Sequence, residues 1–211
     1  RCACLLTQIE VDPTDPAFQR PSKPIGPLFD EVEARRLADA RGWHIARDGE
    51  HYRRVVPSPA PIRILELGVI QLLVDQGVIV FCAGGGGIPT VRRTDGSLVG
   101  VEAVIDKDSA SSLLARQLGA DAFLMLTDVD AVWTGWREPD ARAIRRISPA
   151  MVRRYPFAAG SMGPKVEAAC AFVEQTGGIA GIGGLADAQA ILAGRAGTLV
   201  VRDASAISWW D

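Results

Sequence analysis

Residues 122–133 read "AFLMLTDVDAVW", and residues 157–177 read "FAAGSMGPKVEAACAFVEQTG". The first is an apolar run of strand length that ends in two acids. The second has helical periodicity over 161–176, and "GIAGI" (178–182) follows it as another strand. Strand, helix, strand is the repeating unit of an α/β fold. The same alternation extends outward from it. "IRILELGVIQLLVDQG" (62–77) is helical in period, and "VIVFCAGGGG" (78–87) reads as a buried strand running into glycines. "TVRRTDGSLVGVEAVID" (90–106) is a hairpin with an Asp-Gly turn, and "SASSLLARQLG" (109–119) is a helix. After the central unit come the helix "LADAQAILAG" (185–194) and a last strand, "TLVVR" (198–202). These elements predict a three-layer α/β sandwich with a largely parallel central sheet.

Ahead of residue 62 the character differs. "VDPTDPAFQRPSKPIGPLF" (11–29) is broken by prolines, and "DEVEARRLADARG" (30–42) is one short helix. Asp30 suits its N-cap with Glu33 three residues on, and Gly42 suits its stop. "WHIARDGEHYRRVV" (43–56) is a hairpin turning at Asp48-Gly49. The expected organisation is a strand in 1–10, a small protruding hairpin–helix lobe in 11–61, an α/β lobe in 62–205 and a tail in 206–211. The tail carries adjacent tryptophans, Trp209 and Trp210, which read as sticky.

Composition excludes several classes. With 211 residues, 48% hydrophobic and 23% charged, the chain can bury a sizeable core. A net charge of −2 and a pI near 5.8 offer no basic face to nucleic acid or to an anionic membrane. No apolar run approaches a membrane span of about 20 residues. Cys2, Cys4, Cys82 and Cys170 form no Cys-x-x-Cys pair, and no His stands at metal-ligand spacing. A disulfide framework and a protein-held metal are therefore not expected, and a reducing cytoplasm fits.

Open α/β sheets bind ligands where strand carboxyl ends meet the following loops. Gly84, Gly85, Gly86 and Gly87 follow an apolar strand and suit either an anion cradle or a flexible turn. Asp106, Lys107 and Asp108 precede a helix, where Asp108 or Ser109 could cap and Lys107 could be a positioned charge. Asp128 and Asp130 end the strand quoted first and suit either a ligand contact or a turn. Pro164 suits the first turn of the helix 161–176, which places Lys165 by its positive end, flanked by Gly160 and Gly163. "GSMGPK" is not a Walker loop. Of 23 cationic side chains only Lys23, Lys107 and Lys165 are lysine, and all three fall in Gly/Pro/Asp-rich segments. An ammonium is a compact point charge, which suits a moving phosphoryl group better than the planar guanidinium fork does. This favours a phosphate-handling site.

Together, "TQIEVDPTDPAFQRPSKPIGPLF", "RRVVPSPAPIRI", "CAGGGGIPTV", "GVEAVIDKDSASSLLA", "LTDVDAV" and "FAAGSMGPKVEAA" resemble the carbamate kinases of the amino-acid-kinase superfamily, in order from Thr7 to Val200. The "KPIGP" segment separates that family from acetylglutamate and uridylate kinases. The resemblance implies a cytoplasmic homodimer that interconverts ATP plus carbamate with ADP plus carbamoyl phosphate, using Mg2+ with the nucleotide. It also implies a place at the end of arginine breakdown by the deiminase route. Lys107 and Lys165 match the lysines that stabilise the transferred group, and Asp108 matches the carboxylate that orients them. Lys23 matches the lysine that the lobe swings over the substrate. Gly84–Gly87 match the substrate side. Asp128, Val129 and Asp130, with Gly160, Ser161, Met162 and Gly163, match the nucleotide side.

The family's first strand and its "GGNA"-type substrate loop have no counterpart in these residues. The fold is thus expected to be incomplete at its N-terminus, with carbamate turnover by this chain undetectable. A non-catalytic nucleotide-binding remnant or an interaction protein is the alternative reading.

Overall fold

The computed structural model describes residues 1–158 and 160–211. The chain forms two compact units, Arg1–Ala110 and Ser111–Asp211.

The first unit begins with β1 (Cys2–Cys4) and β2 (Gln8–Val11), then β3 (Lys23–Phe29), helix α1 (Glu31–Arg41), β4 (His44–Asp48) and β5 (His51–Val56). β6 (Pro61–Ile64), α2 (Leu67–Asp75), β7 (Ile79–Phe81), β8 (Ile88–Arg92) and β9 (Leu98–Gly100) complete it. One sheet runs β6-β2-β8-β9, with β2 parallel to β8 and the other pairs antiparallel. β1 and β7 pair in parallel, and β3-β5-β4 make an antiparallel sheet.

Helix α1 forms as its sequence directs. The Asp30 side chain accepts a hydrogen bond from the Glu33 N–H at 2.8 Å, and Gly42 closes the helix in the left-handed region at φ 64°. Ala34 and Leu37 are its buried residues. The guanidinium groups of Arg41 and Arg54 each stand over the Trp43 ring, at 4.9 and 4.8 Å. His44 and His51 are exposed on the lobe's strands.

Three local expectations change in this unit. Pro61–Ile64 is a strand rather than the start of the following helix, because Ile64 finds a place opposite Ile9 in the sheet. The hairpin turn falls at Gly49-Glu50, since Asp48 pairs directly with His51. β7 is not buried: Ile79 and Phe81 are 66% and 59% exposed, because among the described residues β7 meets only β1 as a strand partner.

Helix α3 (Lys107–Gln117) leads into the second unit. There follow β10 (Ala122–Thr127), β11 (Val132–Thr134), β12 (Arg142–Ile147), α4 (Pro149–Val152) and α5 (Met162–Thr176). β13 (Ile179–Gly184), α6 (Ala188–Leu192), β14 (Thr198–Val200) and β15 (Ser208–Trp209) end the chain. The sheet order is β10-β13-β14-β12-β11, and β15 also pairs with β12. β10–β13 and β12–β14 are parallel, whereas β13–β14, β11–β12 and β12–β15 are antiparallel. The sheet is therefore mixed.

Alternation along these strands builds the layers. Phe123 and Met125 of β10, with Ala180, Ile182 and Val200, share a core with Val166, Cys170, Phe172 and Val173 of α5. The rings of Phe123 and Phe172 stand 5.6 Å apart. Leu124, Leu126, Ile179, Leu199 and Val201 join Ile191 of α6 in a separate cluster. Successive strand residues point to opposite faces, so one helix covers each side and the sheet lies between them. Fully burying a side chain such as Phe172 stabilises the fold by about 2–3 kcal/mol.

The tail is not a sticky appendage. Trp209 pairs with Ile144 in β12, stands 4.3 Å from the Arg142 guanidinium and meets Tyr155 edge-on. The Trp210 indole N–H donates to the Gly197 carbonyl at 2.7 Å, and Arg145 lies 4.8 Å over its ring. Indole faces attract guanidinium groups through the ring quadrupole, which explains why two arginines of one strand hold this pair.

Candidate functional site

In the first unit the sequence-predicted residues gather around the segment that starts α3. Asp106 caps that helix: its Oδ1 accepts from the N–H groups of Asp108 at 3.0 Å and Ser109 at 3.1 Å. The expectation that Asp108 or Ser109 caps is thus corrected. Asp106 precedes the helix with its side chain free to turn back onto the first exposed N–H groups, which a residue already inside the helix cannot do.

The other oxygen of Asp106 holds Lys23. Nζ to Oδ2 is 2.6 Å, with the lysine side chain 34% exposed and the carboxylate 16% exposed. Burial alone would push the Asp106 carboxyl up. The Lys23 hydrogen bond, the Ser109 N–H, the Lys23 charge and the Asp108 N–H outweigh burial and hold it below the usual carboxylate range. Lys107 is the first residue of α3; its ammonium lies 4.0 Å from the buried Asp108 carboxylate and is itself well exposed.

The glycine run Gly84–Gly87 is a tight 3-10 turn. The Gly86 N–H donates to Ala83 and the Gly87 N–H to Gly84, which leaves those of Gly84 and Gly85 outside the closing of the turn. Gly86 is pressed against the Ile105 carbonyl: a Cβ there would stand 2.1 Å from that oxygen. Only glycine permits this approach, and it brings the glycine turn against the residue immediately before Asp106.

In the second unit a cleft of about 390 Å³ gathers Asp128, Val129, Ser161, Met162 and Lys165 with Thr127. Asp128 accepts from the Thr127 hydroxyl at 2.9 Å just past the end of β10. Lys165 lies on the first turn of α5, where the positive end of the helix dipole favours an anion. The cleft wall also includes Trp133, Trp136 and Arg137, none of which the sequence reading singled out. The two indoles stand 6.0 Å apart, edge to face, and present flat apolar surface of the kind a nucleobase stacks on. Their only signal in the sequence is the local "VWTGWR" following the paired acids.

Three predicted residues lie off this cleft. Asp130 accepts the Trp133 indole N–H at 2.8 Å and lines a neighbouring cleft of about 580 Å³. Gly163 donates its N–H to Ala158 and borders a third cleft with Pro164. Gly160, which precedes the helix, lines none of these clefts.

Among the described residues no group of three or more His, Cys, Asp or Glu could hold a metal ion. Magnesium commonly keeps most of its waters and binds through one or two carboxylates plus substrate phosphates, so the acids here fit a metal that arrives with a nucleotide. No helix of the described residues is long and apolar enough to cross a membrane.

Comparison with known proteins gives one family. The profile of the amino acid kinase family matches residues 28–182. The carbamate kinase of Rhizobium meliloti is 51% identical over 209 residues, covering 98% of this chain and 64% of that protein. The Haemophilus influenzae carbamate kinase is 51% identical over 208 residues, covering 99% and 67%. Among solved structures, the Giardia lamblia carbamate kinase bound to AMP-PNP superposes with a TM-score of 0.85 at 43% identity, covering 96% of this chain and 65% of that one. This chain therefore spans about two thirds of the length of the relatives it matches, and it belongs to the amino acid kinase family.

Proposed function

We propose that the protein is a carbamate kinase, transferring a phosphoryl group between ATP and carbamate. The observation that carries the reading is Lys165 on the first turn of α5, in a cleft that also holds Asp128 and the Trp133–Trp136 pair. The kinase relatives above support it.

In the ATP-forming direction an oxygen of the ADP β-phosphate attacks the phosphorus of carbamoyl phosphate. The bond from phosphorus to the carbamate oxygen breaks, and carbamate leaves as an anion with the electron pair. No proton need move, so the step requires no histidine. The demand is for fixed positive charge where oxygen charge develops. Lys107 and Lys165 supply it, each from the first turn of its own helix, and Asp108 orients Lys107. Lys23 and the Gly84–Gly87 turn serve the carbamate side. Asp128, Val129, Ser161 and Met162 serve the nucleotide, with the two tryptophans as a base platform. Asp130, Gly160 and Gly163 support those elements. Magnesium bound to the nucleotide phosphates would neutralise part of their charge. The same likeness supports the finer reading of a cytoplasmic homodimer acting late in arginine breakdown.

An acceptor panel tests this. With Mg-ATP and the protein at its full natural length, ADP release is expected with carbamate and not with N-acetylglutamate or UMP; a clear preference for either of the latter would overturn the assignment.

A further inference from the structure

The geometry points to Asp106 as the residue that positions Lys23 for the reaction, by holding its ammonium at the start of α3. This rests on the carbamate kinase reading above, and it adds a residue that the sequence analysis passed over in favour of Asp108.

Asp106 divides its two oxygens between two tasks. Oδ1 takes two backbone N–H groups of α3, which fixes the plane of the carboxylate relative to the helix. Oδ2, thereby aimed, takes the ammonium of Lys23 at 2.6 Å from 83 residues away in sequence. Lys23 is the first residue of β3, the strand that opens the antiparallel sheet of the lobe. Its side chain is long and flexible, and an unrestrained lysine would sample many rotamers. The carboxylate selects the one that ends next to the residue preceding Lys107. The chain before Asp106 is itself held: Gly86 abuts the Ile105 carbonyl, so the glycine turn, the cap and both lysines form one connected arrangement within the first unit. A pair only partly exposed to water keeps more of its attraction than a surface ion pair. It remains weak enough for an anionic substrate oxygen to share the ammonium, which has three donors.

Asparagine at this position separates the two tasks, because it caps helices about as well as aspartate but carries no charge. The test is competitive acetylation read by mass spectrometry, which the presence of only three lysines makes unambiguous. In the native protein Lys23 should react several-fold more slowly than Lys107. In Asp106→Asn the Lys23 rate should rise several-fold, while Lys107 and Lys165 change by less than about twofold and the melting temperature holds, as the retained cap predicts. An unchanged Lys23 rate would sink the proposal. A rise at all three lysines would reduce Asp106 to a structural cap, and Asp106→Ala supplies that pattern for comparison.

A kinetic arm, on the protein at its full natural length, reads function separately. Asp106→Asn should raise KM for carbamoyl phosphate about tenfold, equivalent to 1.4 kcal/mol, with the KM for ADP unmoved. It should add nothing on a Lys23→Met background. An additive effect there would contradict positioning through Lys23. If the labelling behaves as stated but no version turns over carbamoyl phosphate, the positioning stands and the carbamate kinase reading fails.

Discussion

Replacing Gly86 by alanine should unfold the protein far more easily than replacing Gly84, although both belong to one run of four glycines. Gly86 is buried with φ 106°, and a Cβ on it would lie 2.1 Å from the Ile105 oxygen and 2.9 Å from its carbonyl carbon. Holding a non-glycine residue in such a backbone region costs about 1–3 kcal/mol. The contact is with backbone, which cannot rotate away, and overpacking of this kind adds about 1–3 kcal/mol. The expected loss is therefore about 4 kcal/mol, a large share of a native stability of about 5–15 kcal/mol. At Gly84 the backbone is outside the left-handed region and a Cβ meets open space, so Gly84→Ala should be neutral or stabilising by up to about 1 kcal/mol. Urea unfolding followed by tryptophan fluorescence measures both. With an m-value of about 2.5 kcal/mol/M, Gly86→Ala should lower the midpoint by about 1.5 M and leave Gly84→Ala at or above the parent. Equal midpoints for the two variants would refute the argument that the turn is clamped against Ile105.

Three further outcomes follow from side chains elsewhere. Trp209→Ala removes the edge contact with Tyr155 and the Arg142 stack from a half-buried ring, so it should cost about 2 kcal/mol and lower Tm by about 4–8 °C. Trp136→Ala, at a mostly exposed ring, should change stability by less than about 0.5 kcal/mol; a reversal of that order would mean the tail is undocked. Burial pushes the Cys170 thiol up to about 12, with Glu167 and Glu174 adding to it against Arg153, whereas Cys2 and Cys4 are exposed. Iodoacetamide at pH 8 should thus label Cys2 and Cys4 in the folded protein and Cys170 only after denaturation; native labelling of Cys170 at the rate of Cys2 would contradict this core. Because the Asp106 carboxyl is held below its unfolded value of 3.8, its stabilisation is complete above that value and is lost as pH falls through the lowered one. The stability gap between the parent and Asp106→Ala should accordingly narrow under acid, and a gap that widens there would reverse the sign of the assignment.

What the sequence made legible was what local chemistry decides. Asp30 and Gly42 bracket α1 because both caps act within one turn of the helix. Pro164 and its flanking glycines marked the start of α5, and apolar runs marked β10 and β13. Register and partner choice were not legible. "IRILELG" suits a strand or a helix by period, and only pairing with Ile9 decides it. The run "AFLMLTDVDAVW" breaks after Thr127 because Asp128–Ala131 turn the chain into a separate strand, β11. The tail pairs with β12 through Trp209, a contact made across more than 60 residues. At the site, Lys165 and Asp128 were visible as charges at element ends, and the structure places both on one cleft. Asp106 was passed over because nothing in "VIDKDSA" says which acid caps, and its bond to Lys23 depends on the folded lobe. Trp133 and Trp136 carry no motif; they matter only because the turn after β10 brings them beside Asp128.

The central claim is tested most directly by ATP formation from ADP and carbamoyl phosphate with magnesium, measured on the purified protein at its full natural length beside its Lys165→Ala form. The account predicts magnesium-dependent ATP formation by the parent and a fall of about 10²–10³ in kcat on losing the lysine, the cost of removing one charge-stabilising group. A folded parent that makes no ATP, or a Lys165→Ala form that makes it at the parental rate, would contradict the account.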